Sequence, residues 1–246
     1  MSTPQAKHSG TGSHRKPEVT RGILEVGAQG FGFLRDPRRN LRIQDTDVYV
    51  GKHIIQRFKL KTGHYVVGVL HPGRPQKGRG PSLQDIRTVD GDPPALVPKR
   101  PYYKDLTSID PTERFRMGEL EEKEQGEKDI SMRLVELITP IGRGQRALVV
   151  APPRTGKTVL LQKMARAVAA GYPEVAVLVL LVDERPEEVT DWRRNVRGEV
   201  YSSSADESSK SHVRVAELVL QRCQRLLEAG RDVFLLLDSL TRLGRA

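Results

Sequence analysis

The segment that most constrains the fold is the octapeptide APPRTGKT at residues 151–158, which follows the apolar run 147–150. Glycine, lysine and threonine in this order, between an apolar run and a helical pattern, are typical of a phosphate-binding loop. Such a loop presents backbone N–H groups, a helix N-terminus and a lysine to phosphate oxygens, and a hydroxyl to Mg²⁺. The sequence therefore predicts a strand, a loop and a helix in this order, within a nucleotide triphosphatase.

The residues after the loop favour the same interpretation, whereas its first residue departs from the usual pattern. Apolar residues recur at helical spacing after Lys157, and Gly171 and Pro173 are typical of a helix end. The usual loop begins with glycine, where this chain has Ala151, and glycine's conformational freedom is often needed there. The alternative is a Pro/Gly turn with a solvent-exposed lysine, which the order of the flanking patterns disfavours.

From residue 131 onward, strand-like runs alternate with helical patterns. This alternation predicts a parallel sheet with right-handed crossovers. The strand-like runs are 148–150, 175–182 and 233–237, and the helical patterns follow Lys157 and cover 212–229.

Two of the predicted strands end in acidic residues, Glu184 and Asp238. Because ligands bind at the carboxyl ends of parallel strands, Asp238 is predicted to belong to the Mg²⁺ shell and Glu184 to orient or deprotonate the attacking water. A strand ending in a charged residue is common, and the phosphate loop upstream favours the functional interpretation. Serines 202–204 could face phosphate, but a flexible polar loop and, at Ser208, a helix cap are the simpler interpretation.

Residues 21–90 contain five short strand-like runs separated by Gly, Pro and Asp turns, which predicts a small β barrel. The same segment has 13 Lys or Arg against 6 Asp or Glu, and the whole chain has a net charge of +10. An excess of this size indicates a polyanionic partner, of which a nucleic acid is the first choice.

Within that barrel, the run GFGFLR at 30–35 places Phe31, Phe33 and Arg35 on one face of a strand. Exposed aromatic rings beside a basic residue, with Tyr49 on a neighbouring run, form a stacking platform for unpaired bases. The alternative is that both phenylalanines fill the barrel core. The basic excess around them favours the platform.

The remaining segments indicate how the chain is divided and where it is located, and carry no predicted catalytic residues. Residues 1–20 are predicted to be a disordered basic tail, and the Pro-rich, then charged, stretch 91–130 a connector. The chain has a single cysteine, Cys223, which predicts a reducing, cytoplasmic environment. It has no apolar run near the ~18 residues of a membrane span, which predicts that it has no membrane partner. His53, His64 and His71 lack ligand spacing and are predicted to lie on the surface.

Several motifs together resemble the family of the bacterial transcription termination factor Rho, over about residues 21–246. The alanine that opens the phosphate loop belongs to that family's own pattern. The motifs are GFGFLR with DVYV, PIGRGQRALVVAPPRTGKT, LLVDERPEEVT and VFLLLDSLTRLGRA.

The resemblance implies an OB-fold, cold-shock-like domain at 21–90 and a RecA-like P-loop ATPase domain at 131–246. It also implies a ring-shaped homohexamer that binds nascent single-stranded RNA and translocates by ATP hydrolysis, with RNA polymerase or the transcription complex as a further partner. The catalytic residues that it implies are Lys157, Glu184 and Asp238, and the Mg²⁺ ligands are Thr158 and Asp238. The implied ATP-binding residues are Arg154, Thr155, Gly156, Lys157, Thr158 and Val159. The implied RNA-binding residues are Phe31, Phe33, Arg35, Asp47 and Tyr49.

The chain also departs from the family pattern in three places. A basic tail stands where the family has a small helical module, and GRGPSL at 78–83 lacks an expected acidic and an expected aromatic residue, so one wall of the base pocket is expected to be missing. The family's pore loops and arginine finger lie beyond Ala246. The expectation is therefore an incomplete ATPase domain that binds RNA and, weakly, nucleotide, forms no stable ring and shows no RNA-stimulated hydrolysis by itself.

Two other classes stay open from the sequence. One is an RNA-binding regulator without motor activity, in which the P-loop domain has a structural role. The other is a RecA-type or rotary-ATPase-like enzyme that acts on DNA or protons, which the GFGFLR barrel disfavours.

Overall fold

The computed structural model describes residues 18–71, 80–118, 130–152 and 155–246. Most of the predicted basic tail, part of the predicted connector and Arg154 lie outside these ranges. Among the described residues, none of the helices combines the length and the apolar character needed to cross a membrane.

The first sheet has five antiparallel strands in the order β3-β2-β1-β4-β5. It curls, since the backbone N–H of Tyr49 in β3 donates to the Pro81 carbonyl at 2.8 Å, just before β5. Short helix α1, Lys52–Arg57, follows β3 and buries two isoleucines in the core of this sheet. The predicted OB-like fold class is thus confirmed. The strands are β1 Val19–Val26, β2 Gly32–Arg35, β3 Val48–Val50, β4 Tyr65–Leu70 and β5 Leu83–Val89.

The second sheet has three parallel strands in the order β7-β6-β8. The central strand β6 is buried on both faces, since Val179 packs on the side of α3 and Leu180 on the side of α5. Helices on both faces of a parallel sheet confirm the predicted α/β P-loop class. The elements are α2 Ser131–Ile138, α3 Lys157–Gly171, β6 Ala176–Glu184, α4 Pro186–Asn195, β7 Glu199–Ser204, α5 Ser209–Glu228, β8 Val233–Asp238 and α6 Leu240–Leu243.

Two predictions about strands and loops of the second half were wrong. The run 147–150 before the phosphate loop is not a strand, and Leu148 and Val150 are 72% and 84% exposed. A strand needs a neighbour's backbone ladder, and β8 pairs only with β6 among the described residues. Serines 202 and 203 do not form a loop but lie buried in β7, where their backbone pairs with β6. Ser208 caps α5 as predicted, accepting a hydrogen bond from the Ser211 N–H.

The barrel packs directly on helix α5. Ile23 of β1 and the loop residue Leu41 are fully buried in the same apolar cluster as Leu178 of β6 and Val215 of α5. Close approach requires glycine at residue 63, because a Cβ there would lie 2.5 Å from the backbone of Gln221. Gly63 also has φ of +95°, which favours glycine. The two sheets therefore share a core.

A buried carboxylate, Asp90, joins the barrel, the following segment and α5. One oxygen accepts from the Tyr65 N–H at 2.9 Å and from Arg222 Nη1 at 2.5 Å. The other lies 2.8 Å from both His64 Nδ1 and Arg100 Nη1. His64 is 1% exposed, so its predicted surface position was wrong.

The protonation states follow from this burial. Burial opposes ionisation of Asp90, but the hydrogen bond from His64 and the charge of Arg222 outweigh it, and the pKa of this carboxyl lies well below its usual range. Burial lowers the pKa of His64 despite its bond to Asp90. His64 is therefore neutral at neutral pH, with Nδ1–H as the donor to the carboxylate.

We expect Asp90→Asn to lower the free energy of unfolding by about 3–5 kcal/mol, because it removes the buried carboxylate that Arg100 and Arg222 share and leaves Arg222 only the part-exposed Glu199 as a counter-charge. The folded-state pKa of Asp90 is depressed, so its contribution is complete above the unfolded value of about 3.9 and is lost as the pH falls below it. The difference between the two proteins should therefore be largest near neutrality and shrink in acid. Urea unfolding at several pH values measures it.

The matched control is Asp92→Asn, since the side chain of Asp92 is 38% exposed and also pairs with Arg100. Its cost should stay below about 1 kcal/mol. Equal costs for the two variants would contradict a special role of the buried carboxylate.

Candidate nucleotide and nucleic-acid sites

The glycine that ends the phosphate loop, Gly156, caps helix α3 with φ of 90°. No atom of the described residues outside its immediate chain neighbours lies within 4 Å of a Cβ placed on it. The Thr155 hydroxyl donates to the Pro152 carbonyl at 2.8 Å, and Val159 is half exposed. The first turn of α3 therefore presents an open N-terminus. The predicted ATP-binding residue Arg154 is outside the described residues.

Three predicted phosphate and metal residues meet at this helix end. Lys157 Nζ forms an ion pair with one carboxylate oxygen of Asp238, and the Thr158 hydroxyl donates to the other at 3.2 Å. Asp238 is buried at the carboxyl end of β8, so its charge is balanced mainly by this lysine. Their roles in binding phosphate and Mg²⁺ stay predictions.

Glu184 ends the neighbouring strand β6 and is buried. Burial raises its pKa to about 7, a hydrogen bond with Glu188 of α4 acts in the same direction, and the charge of Arg242 opposes both. Arg242 Nη1 lies 3.3 Å from Glu184 Oε2, which has no hydrogen-bond partner among the described residues. A carboxyl group with a pKa near neutrality can accept a proton from water at neutral pH.

These residues fit a magnesium nucleotide. A hydroxyl and a carboxylate oxygen 3.2 Å apart, on Thr158 and Asp238, are hard oxygen donors of the kind that Mg²⁺ prefers. Lys157 supplies a cation and α3 an open N-terminus for phosphate, while Glu184 keeps an unsatisfied oxygen at the same edge of the sheet. The chain therefore has the donor set for both ligands.

Three aromatic rings form a cluster on the barrel surface: Phe31, Phe33 and Tyr49. The ring centroids of Phe31 and Tyr49 are 5.5 Å apart, and those of Phe33 and Tyr49 are 5.9 Å apart. None of the three belongs to the barrel core, and Tyr49 is 37% exposed. Since the residues on either side of Tyr49 are buried, the period of two of β3 turns this ring outward.

Arg35 and Asp47 lie beside this cluster, as an ion pair that is buried on both sides. Arg35 Nε also donates to Glu25 at 2.5 Å, and its guanidinium lies 5.2 Å from the centroid of Phe33. Arg214 of α5 donates to both oxygens of Glu25 at 3.0 Å. The five residues predicted to bind RNA are thus neighbours, connected through Glu25 to the second domain.

Sequence reasoning missed Glu25, Glu188, Arg214 and Arg242. Glu188 lies in α4, only four residues after Glu184 in the chain, so this short separation could have identified it. The other three meet their partners only through the tertiary fold.

Two family models match different parts of the chain. Residues 20–95 match the family model described as Rho termination factor, RNA-binding domain. Residues 131–246 match the nucleotide-binding domain of the ATP synthase alpha/beta family. The chain thus carries an RNA-binding domain and a nucleotide-binding domain.

Curated relatives match both domains at once. The transcription termination factor Rho of Cereibacter sphaeroides is 48% identical over 225 residues, which is 92% of this chain and 52% of the relative. The Rho of Streptomyces coelicolor is 46% identical over 95% of this chain and 52% of its own length. The Rho of Aquifex aeolicus is 43% identical over 92% of this chain and 51% of its own length. The chain spans about half the length of the relatives that it matches.

We expect Phe33→Ala to weaken binding of single-stranded RNA by about 1–3 kcal/mol, the contribution of one base stacked on a ring. The melting temperature should change little because Phe33 lies outside the barrel core. A binding titration beside a thermal melt measures both.

Phe58→Ala is the control, since this ring packs against the barrel core. It should lower the unfolding free energy, by up to about 3–5 kcal/mol, and leave the RNA affinity of the folded protein unchanged. If Phe33→Ala behaves in the same way, the ring is structural and the stacking interpretation is wrong.

Proposed function

The chain belongs to the family of the transcription termination factor Rho, and on that premise we propose that it serves RNA-directed, ATP-dependent transcription termination in the cytoplasm. The observation that carries this proposal is the presence of two sites in one folded unit. One is a partly exposed aromatic cluster beside a buried Arg–Asp pair, and the other a phosphate loop whose lysine pairs with the strand-end carboxylate of Asp238.

For RNA, the proposed surface comprises the rings of Phe31, Phe33 and Tyr49 with Arg35 and Asp47 at their edge. Aromatic faces accept any unpaired base, whereas the Arg–Asp pair offers a donor and an acceptor to the edge of a stacked base. The basic excess of the barrel supports a polyanionic ligand. Residues 80–83 lie beside this surface, since the Tyr49 N–H donates to the Pro81 carbonyl at 2.8 Å.

For ATP, the proposed site is the open N-terminus of α3 with Lys157, Thr158, Asp238 and Glu184. Lys157 would release Asp238 and turn its charge to the outer phosphates, and Thr158 with Asp238 would hold Mg²⁺. When bound, Mg²⁺ neutralises developing charge on the phosphates. Glu184 would orient the attacking water and accept its proton, which its raised pKa supports.

Movement along RNA and release of the transcript are proposed as properties of a homohexamer that acts on the transcription complex. RNA binding would stimulate hydrolysis in that assembly. This part rests on the resemblance to the family.

We expect Lys157→Ala to weaken binding of Mg·ATP about tenfold or more, since a charged hydrogen bond contributes about 1.5–3 kcal/mol. RNA affinity should stay unchanged, because the aromatic cluster lies on the other sheet. Titration with a fluorescent ATP analogue measures the first and an RNA titration the second.

Lys210→Ala is the matched control, because it removes an exposed lysine of α5. It should change neither affinity. Normal ATP binding by Lys157→Ala would refute the phosphate site.

We expect Glu184→Gln to preserve ATP affinity and to lower the rate of hydrolysis about 10²–10⁴-fold, the usual contribution of a general base. Because the chain spans about half of its relatives, turnover is measured in a hybrid. In this hybrid, residues 20–246 replace the matching part of the Cereibacter sphaeroides Rho.

The hybrid also separates the two leading interpretations. RNA-stimulated phosphate release that Glu184→Gln abolishes supports an RNA-dependent ATPase. Tight ATP and RNA binding without stimulated release supports an RNA-binding regulator with a structural P-loop domain instead.

A further inference from the structure

One rim of the aromatic cluster, next to Gly30 and Tyr49, is formed by the first two residues of α1, Lys52 and His53. Both are exposed, whereas Ile54 and Ile55, which follow them, are buried in the barrel core. Burial of these two isoleucines fixes the rotation of the short helix. Lys52 and His53 therefore face away from the core, directly after β3 and its outward ring Tyr49.

Lys52 lies along the turn that leads into Phe31. A Cβ placed on Gly30 would lie 3.5 Å from both Cδ and Cε of Lys52, so the apolar stem of the lysine covers this glycine. Gly30 itself has φ of +84°, a conformation that favours glycine. The stem of Lys52 thus lies along the turn that leads into Phe31.

His53 lies beside Tyr49. A Cβ placed on Gly51 would be 2.8 Å from Cε1 of His53 and 3.9 Å from Cε1 of Tyr49. The imidazole therefore occupies the space that a side chain at residue 51 would fill. It lies next to the same glycine as the ring of Tyr49.

The charges on the two rims differ. Arg35 is paired with both Glu25 and Asp47, so its charge is already neutralised within the protein. No carboxylate in the described ranges pairs with Lys52 or His53. A phosphate that follows a base stacked on the cluster is thus attracted to the Lys52 rim rather than to the Arg35 rim.

We propose that Lys52 and His53 form one edge of the RNA site, where Lys52 contacts the phosphate of the stacked nucleotide and His53 extends the stacking surface to the next base. This inference rests on the proposed RNA-binding function of the aromatic cluster. It assigns the RNA backbone to the α1 side and the base edge to the Arg35 side.

The salt dependence of RNA binding tests the lysine, because each phosphate contact to a single strand contributes about 0.7 to the slope of log K against log salt. For the 246-residue chain at pH 8, we expect Lys52→Gln to weaken binding several-fold and to reduce that slope by about 0.7. Lys52→Arg should retain the slope. The control is Lys99→Gln, which removes the same charge from an exposed lysine next to Arg100, on the side of Asp90. It should change neither the affinity nor the slope.

Stacking by His53 predicts a different signature. His53→Ala should weaken binding several-fold with an unchanged salt slope, and a melt should show that both exposed positions leave the fold intact. An unchanged slope for Lys52→Gln, or unchanged affinity for His53→Ala, overturns the corresponding assignment. If Phe33→Ala also leaves affinity unchanged, the proposed RNA site itself fails; if Phe33→Ala weakens binding, only the rim is wrong.

Discussion

The buried carboxylate of Asp90 is the contact on which the arrangement of the two halves depends. It sits at the end of the barrel and is satisfied by groups from three separate segments, among them Arg222 of α5. Removing a charge from water is costly unless every partner is in place. The network therefore favours one docking of the barrel on α5 over alternatives that would bury the same apolar residues. The apolar contacts of Ile23 and Leu41 with α5 stabilise the packing of the barrel on this helix, and the bonds of Asp90 determine the position in which it packs.

The elements with a clear period could be predicted from sequence. Strand β6 and helix α5 are long, regular and apolar on the expected faces, and the phosphate loop combines a glycine, a lysine and a hydroxyl at fixed spacing. The acids Glu184 and Asp238 could be predicted to share an edge because parallel strands end together. In each case the information is local, or follows from the symmetry of a parallel sheet.

The missed features depend on neighbours that are distant in sequence. The run 147–150 has strand composition but no ladder partner in the part of the chain that the structure describes, whereas β7 has polar composition and a partner in β6. His64 has no sequence signal for burial, because its partner Asp90 comes from the segment after β5. Short helices such as α1 have too few residues to show a helical repeat of apolar positions in the sequence. Composition alone therefore misjudges segments whose environment is made by the rest of the fold.

The bond between Arg214 and Glu25 means that the barrel is not a transferable module. Glu25 holds Arg35 at the aromatic cluster, and a helix of the nucleotide-binding half holds Glu25. Recombination that exchanged one half between relatives would separate Arg35 from part of its support. Gene fusions joined just after β5 would meet the same difficulty. Exchanges within this lineage are therefore constrained to carry β1, β2 and α5 together.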